Sequence, residues 1–223
     1  MIPWVKIDTA WVPGTDGELR LMRRGAEFSI MLGSNELMNS RLSGSEAALA
    51  TLAAKKIEAV AEPHLLIGGL GMGFTLRAAL AVLGSARIIV AELVPAVVGW
   101  AKGPMTEIFG DSLRDPRVSI LETDVADVIR SHPRTFDAIL LDVDNGPEGL
   151  TRKANDALYD SAGLKAAHAA LRPRGVLAVW SSGPHPAFTK RLRGAGFDVN
   201  EIAVRATGKG GGARHVIWIA MKA

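Results

Sequence analysis

The sequence predicts an α/β chain: a seven-stranded, mostly parallel sheet with helices between its strands, preceded by a small N-terminal β-hairpin cap. Three observations carry this. From His64 onward, short apolar runs of the kind buried in a sheet alternate with helical stretches, as βαβ units require. Before residue 44 the chain instead alternates apolar and polar residues between Pro13-Gly14, Asp16-Gly17 and Gly33-Ser34-Asn35, the punctuation of hairpins. The last two apolar runs are joined by TGKGGGAR, too short for a helical crossover, so they should pair antiparallel at the sheet edge.

In chain order, WVKIDTAWV, ELRLMRR and EFSIML read as the cap strands. Ser43 or Ser45 is placed to cap the next helix, in which Ala47, Leu49, Leu52, Ala53 and Ile57 supply an apolar face before Pro63 ends it. The main unit then runs HLLIGGL, a helix through TLRAALAVLG, ARIIVAEL, a helix through PAVVGWAKG, and VSILETD. It continues with FDAILLDVD, a helix from Gly163 to Leu171, GVLAVWSS, a short helix, FDVNEIAVRA and HVIWIAMKA. Residues 1–60 therefore form a β cap with its linking helix, and residues 61–223 the main domain.

Composition removes several classes of function. With 48% hydrophobic and 22% charged residues over 223 positions, the chain is neither disordered nor fibrous. No apolar run reaches the roughly 20 residues that span a bilayer, and MIPWVKIDTAW lacks a basic region followed by an apolar core, so a cytoplasmic protein without a membrane partner is expected. The absence of cysteine excludes disulfides, thiolate metal sites and cysteine nucleophiles, and no histidine–carboxylate spacing suggests a metal site. The net charge of +3 comes from 26 basic and 23 acidic residues scattered along the chain, which argues against a nucleic-acid partner.

LLIGGLGMGFTLR places Gly69, Gly71 and Gly73 between a strand and a helix, where a turn brings bare backbone against a ligand. Glu92 ends the next strand, 19 positions past Gly73, where a carboxylate can accept hydrogen bonds from both hydroxyls of a ribose. Asp124 ends the third strand and is placed to accept from an adenine amino group, with Val125 packing on the ring. Glycines and acids at the carboxyl ends of three consecutive strands point to a Rossmann-like nucleoside site.

The order IGGLGMGFTLR, VAEL, DPRVSILETDVADVI, FDAILLDVDNGPEG and LYDSAGLKAAHAALRPRGVLAVW, from Leu65 to Trp180, resembles the spermidine synthase family within the class I methyltransferase fold. Upstream, LMNSRLSGSEAALA is similar to that family's link from the hairpin cap to the first helix, with Glu46 at the family's acid. The resemblance implies S-adenosylmethionine or its decarboxylated form as co-substrate, a last strand reversed in the sheet, a cap beside the active site and often a homodimer.

The fourth strand ends in LLDVDNGPEG, which brings Asp142, Asp144, Asn145 and Glu148 to the same edge as the nucleoside site. An acidic mouth suits a cationic amine acceptor, with Asp142 or Asp144 orienting the amine and accepting its proton. A plainer reading has one acid capping a turn at Asn145-Gly146-Pro147 and another facing water. Trp180 is the best candidate for a pocket wall. Three departures from the aminopropyl-transferring pattern stand out. Asn145 replaces the second aspartate of the motif, the loop Gly71-Met72-Gly73 lacks the family's aspartate, and Gly44-Ser45 replaces a Tyr-His pair ahead of Glu46. They tilt the expectation slightly from aminopropyl toward methyl transfer. Two other classes share the scaffold: an RNA methyltransferase, and a nucleoside-binding relative without turnover.

Overall fold

The computed structural model describes residues 2–143, 147, 157–207 and 212–223. It opens with a four-stranded antiparallel sheet, β1 (Val5–Trp11), β2 (Glu18–Arg24), β3 (Glu27–Leu32) and β4 (Asn35–Asn39), paired in that order. The sequence announces three of these strands. The fourth, NELMN, has no alternating apolar pattern and forms because Gly33, at φ 57°, turns the chain back onto β3, setting Leu32 opposite Asn35.

The linking helix α1 (Gly44–Ala54) corrects two expectations. Neither serine caps it: Ser43 holds the cap position without a side-chain hydrogen bond, and Ser45 Oγ donates to Glu46 instead. The helix also stops at Ala54, well before Pro63, while Ile57 reaches the core from the following turns.

The main sheet comprises β5 (His64–Gly68), β6 (Arg87–Glu92), β7 (Val118–Glu122), β8 (Phe136–Leu141), β9 (Leu171–Ser181), β10 (Phe197–Arg205) and β11 (Arg214–Lys222). Their order is β10-β11-β9-β8-β5-β6-β7. Strands β5 to β9 are parallel, and β11 runs antiparallel to both β9 and β10. The terminal pair does lie at the edge, with β10 outermost and β11 inside it. Strand order reverses at β5, which pairs with β6 on one side and β8 on the other, and α/β sheets open their ligand crevice at the carboxyl ends beside such a switch.

Period-two alternation divides each strand between two helical layers. Leu65 and Ile67 of β5 and Ala138 and Leu140 of β8 share one core with α1, α2 (Phe74–Val82) and α3 (Pro95–Lys102). Leu66, Ile139 and Leu141 share the other with α5 (Val125–Ser131), α6 (Ser161–Ala170) and α7 (Pro186–Gly194). A short α4 (Thr106–Phe109) and a 3-10 turn (Ser112–Arg114), unsignalled by the sequence, follow α3. The cap has no core apart from this: Leu19, Leu21, Phe28 and Ile30 of β2 and β3 belong to the first core. Fully burying a leucine or isoleucine is worth about 1.5–3 kcal/mol, so these four tie the cap to the sheet more strongly than any single polar contact. The indole Nε1 of Trp100 on α3 adds a hydrogen bond to Asp8 Oδ2 on β1 at 2.7 Å. No helix among the described residues is long and apolar enough to cross a membrane.

Candidate functional site

The turn after β5 needs glycine for two reasons. Gly69, Gly71 and Gly73 have φ of 89°, 50° and 74°, a region that costs other residues about 1–2 kcal/mol each. Room is also lacking: a Cβ on Gly69 would lie 2.6 Å from the Asp142 carbonyl oxygen, and one on Gly73 would collide with the Phe109 ring.

Glu92, buried at the end of β6, buttresses this turn. Its Oε2 accepts from Leu70 N and its Oε1 from Val94 N, both at 2.9 Å. Burial pushes the carboxyl pKa up, and backbone N–H groups of Val94, Leu70, Gly71 and Leu93 oppose that rise by stabilising the charge. Glu92 is at the same time part of the cleft lining, so its carboxylate both holds the turn and faces the space beside it. Asp124 follows β7 and caps α5, accepting from Ala126 N at 2.9 Å. Val125 begins that helix, buried, with its methyl groups against Gly68.

Gly69, Gly71, Glu92, Asp124 and Val125 line one cleft of about 770 Å3, its open mouth included. Its roof comes from the cap, through Leu19, Ile30, Leu37 and Met38. A second pocket of about 580 Å3 adjoins it and receives Gly73, Glu46 from the first turn of α1 and Trp180 from the end of β9. Asp142, just past β8, borders both, as do Gly71, Leu37 and Met38.

The sequence-predicted residues thus converge, though the cap covers both spaces rather than an acceptor pocket alone. Asp144, Asn145 and Glu148 lie outside the described residues.

Two residues at the junction had no sequence signal. Thr75, in the first turn of α2, donates from Oγ1 to Asp142 Oδ2 at 2.6 Å. Met38 stands on the unsignalled strand β4, with its Sδ 3.1 Å from where a Cβ on Gly71 would sit. Burial and the neighbouring Glu46 carboxylate push the Asp142 pKa up to about 7, against the Thr75 hydrogen bond, which lowers it. Two carboxylates bordering one pocket repel, and either a proton or a cationic ligand relieves that repulsion. The cleft with its glycine turn and strand-end acids thus adjoins a pocket bordered by Asp142, whose carboxyl is held well above the usual carboxylate range by burial and Glu46.

No protein-family model matches the chain. The polyamine aminopropyltransferase of Mycobacterium tuberculosis is 28% identical over 149 residues, a match covering 63% of this chain and 28% of that protein. The chain therefore matches under a third of the length of this curated relative. Among solved structures, the spermidine synthase of Thermotoga maritima superposes with a TM-score of 0.78 at 19% identity, covering 98% of this chain and 73% of that one. The 1,6-didemethyltoxoflavin-N1-methyltransferase of Burkholderia thailandensis, solved with S-adenosylhomocysteine, superposes with a TM-score of 0.55 at 20% identity, covering 81% and 79%. The fold is that of spermidine synthases and class I methyltransferases.

Proposed function

We propose that the chain is an alkyltransferase that holds an S-adenosyl sulfonium donor in the larger cleft and passes its alkyl group to a small amine in the adjoining pocket. The observation that carries this reading is Asp142, which borders both spaces and is poised by burial and Glu46 to titrate at about 7. A base works best when its pKa lies near the working pH, and such a group contributes about 10²–10⁴-fold to rate.

In this reading Glu92 and Asp124 take the ribose hydroxyls and the adenine amino group, Val125 packs on the ring, and the glycine turn lets the backbone close on the donor. The donor supplies an electrophilic carbon on sulfur. Asp142 and Glu46 draw in the cationic amine, and Trp180 walls its pocket. Loss of one proton to solvent as the amine enters frees the nitrogen lone pair for attack. As the C–N bond forms, the C–S electron pair stays on sulfur and Asp142 accepts a proton from nitrogen.

The donor's tail separates methyl from aminopropyl transfer. Gly71-Met72-Gly73 offers no carboxylate to a free amine, whereas its backbone and the N-terminus of α2 favour an anion. We therefore expect S-adenosylmethionine to bind at least as tightly as the decarboxylated form, giving methyl transfer. Calorimetric titration of both donors in one buffer tests this. A charge-assisted contact is worth about 1.5–3 kcal/mol, so a preference for the decarboxylated donor of about tenfold or more would restore aminopropyl transfer. Failure of either donor to bind would remove the reading altogether.

A further inference from the structure

Each transfer leaves one proton on the carboxylate pair, and it must leave before the next. Behind Glu46 lies Ser45, 1% exposed, whose Oγ sits 2.8 Å from Glu46 Oε2 and 2.9 Å from His215 Nδ1. His215 comes from β11, on the far side of the sequence, and is half-buried. Its ring stands edge-on to Trp180, with centroids 4.8 Å apart, so the pocket wall fixes the imidazole while the hydroxyl engages its nitrogen. A carboxyl, a hydroxyl and an imidazole are thereby joined without a gap from the pocket's rim to a group within reach of solvent. A hydroxyl both donates and accepts, which is what handing on a proton requires.

We propose that Ser45 and His215 form the exit path for the proton released by the acceptor amine, leading from Glu46 through the Ser45 hydroxyl to the His215 imidazole; this rests on the alkyl-transfer reading above. The carboxylate pair takes the proton as the C–N bond forms. Once Glu46 is protonated, the Ser45 hydroxyl turns from Glu46 to His215, accepting the Glu46 proton while passing its own hydrogen to Nδ1 of a ring that carries its other hydrogen on Nε2. The resulting imidazolium releases a proton to water, so one proton enters and one leaves without any co-reactant. Burial lowers the His215 pKa and Glu46 opposes that, which leaves the ring neutral and able to accept at neutral pH. Its register partner on β10 is uncharged Val204, β9 contributes uncharged Trp180, and the charge that acts on it is Glu46 on α1. His215 is a positioning and relay residue and touches no reacting atom.

The test uses the full chain and two readouts. Nitrogen-15 NMR follows the His215 titration in the parent and in Glu46→Gln. Alkyl transfer to putrescine, with either donor, is followed in the parent, Ser45→Ala and His215→Gln, with and without added imidazole. Loss of the Glu46 charge should lower the His215 midpoint by about half a pH unit or more. Both relay variants should lose kcat by about tenfold with KM for putrescine unchanged, and imidazole should restore His215→Gln, which a structural defect would not allow. With an active parent, three results overturn the path alone: an unmoved midpoint, an undiminished rate in His215→Gln, or a loss that imidazole does not repair. A parent that transfers nothing to putrescine from either donor overturns the alkyl-transfer reading for this acceptor, and the exit path falls with it.

Discussion

Replacing Asp142 by asparagine should stabilise the protein above neutral pH while removing its activity. The carboxyl rises from 3.8 to about 7 on folding, so between those values the folded chain holds a proton that the unfolded chain has released. Parent stability therefore falls as pH climbs through that window and levels off above it. At about 1.36 kcal/mol per pH unit, the rise sets a ceiling of about 4 kcal/mol on the cost of the ionised form. Partial solvent access brings the expected cost to about 2 kcal/mol. Asparagine carries no titrating proton and still offers Thr75 an acceptor. Its advantage over the parent should be absent near pH 4, grow through the window and be complete by about pH 8. Urea unfolding of both proteins at a series of pH values measures it, since groups common to both cancel in the difference. A difference that does not change with pH, or a variant less stable than the parent at pH 8, would refute the assignment. The same substitution should lower kcat by about 10²–10⁴-fold, a trade of stability for chemistry expected at a working site.

Gly69→Ala meets both a left-handed backbone and the Asp142 carbonyl, so it should lose donor binding and several degrees of thermal stability; unaltered donor affinity by calorimetry would show that the turn does not cradle the ligand. Glu92→Ala leaves the Leu70 and Val94 N–H groups without their acceptor and should weaken donor binding by about tenfold or more, checked by titration alongside circular dichroism to confirm the fold. Residues 1–60, whose buried Leu19, Leu21, Phe28 and Ile30 belong to the core shared with the main domain, should show no cooperative thermal transition in isolation; observing one would make the cap an independent domain.

The sheet and the glycine turn were legible because their causes are local. Apolar runs at His64–Gly68 and Phe136–Leu141 declare buried strands, and three alternate glycines declare a backbone that only glycine adopts. The acids at strand ends were placed by counting from those strands. Strand β4 escaped because its five residues gain their conformation from pairing with β3 rather than from their own pattern. Helix α1 ends before its last apolar residue, since Ile57 can reach the core from a turn, and apolarity alone does not mark a helix boundary. Thr75 and His215 were invisible for another reason. What matters about each is a partner distant in sequence, Asp142 in one case and Ser45 in the other, and no spacing along the chain encodes that meeting.

The position of β11 between β9 and β10 bears on how the molecule is assembled. On a nascent chain β10 emerges before the strand that must separate it from β9, so it cannot take its native neighbour until residues beyond 213 have cleared the ribosome. Until then β9 presents an unpaired edge from Val176 to Ser181, the kind of template that recruits other strands. Insertion of β11 closes that edge, seats Trp218 in the second core and delivers His215 to Trp180 in one event. Pairing of this high-contact-order strand therefore closes an aggregation-prone edge and completes, in the same step, the pocket that Trp180 borders.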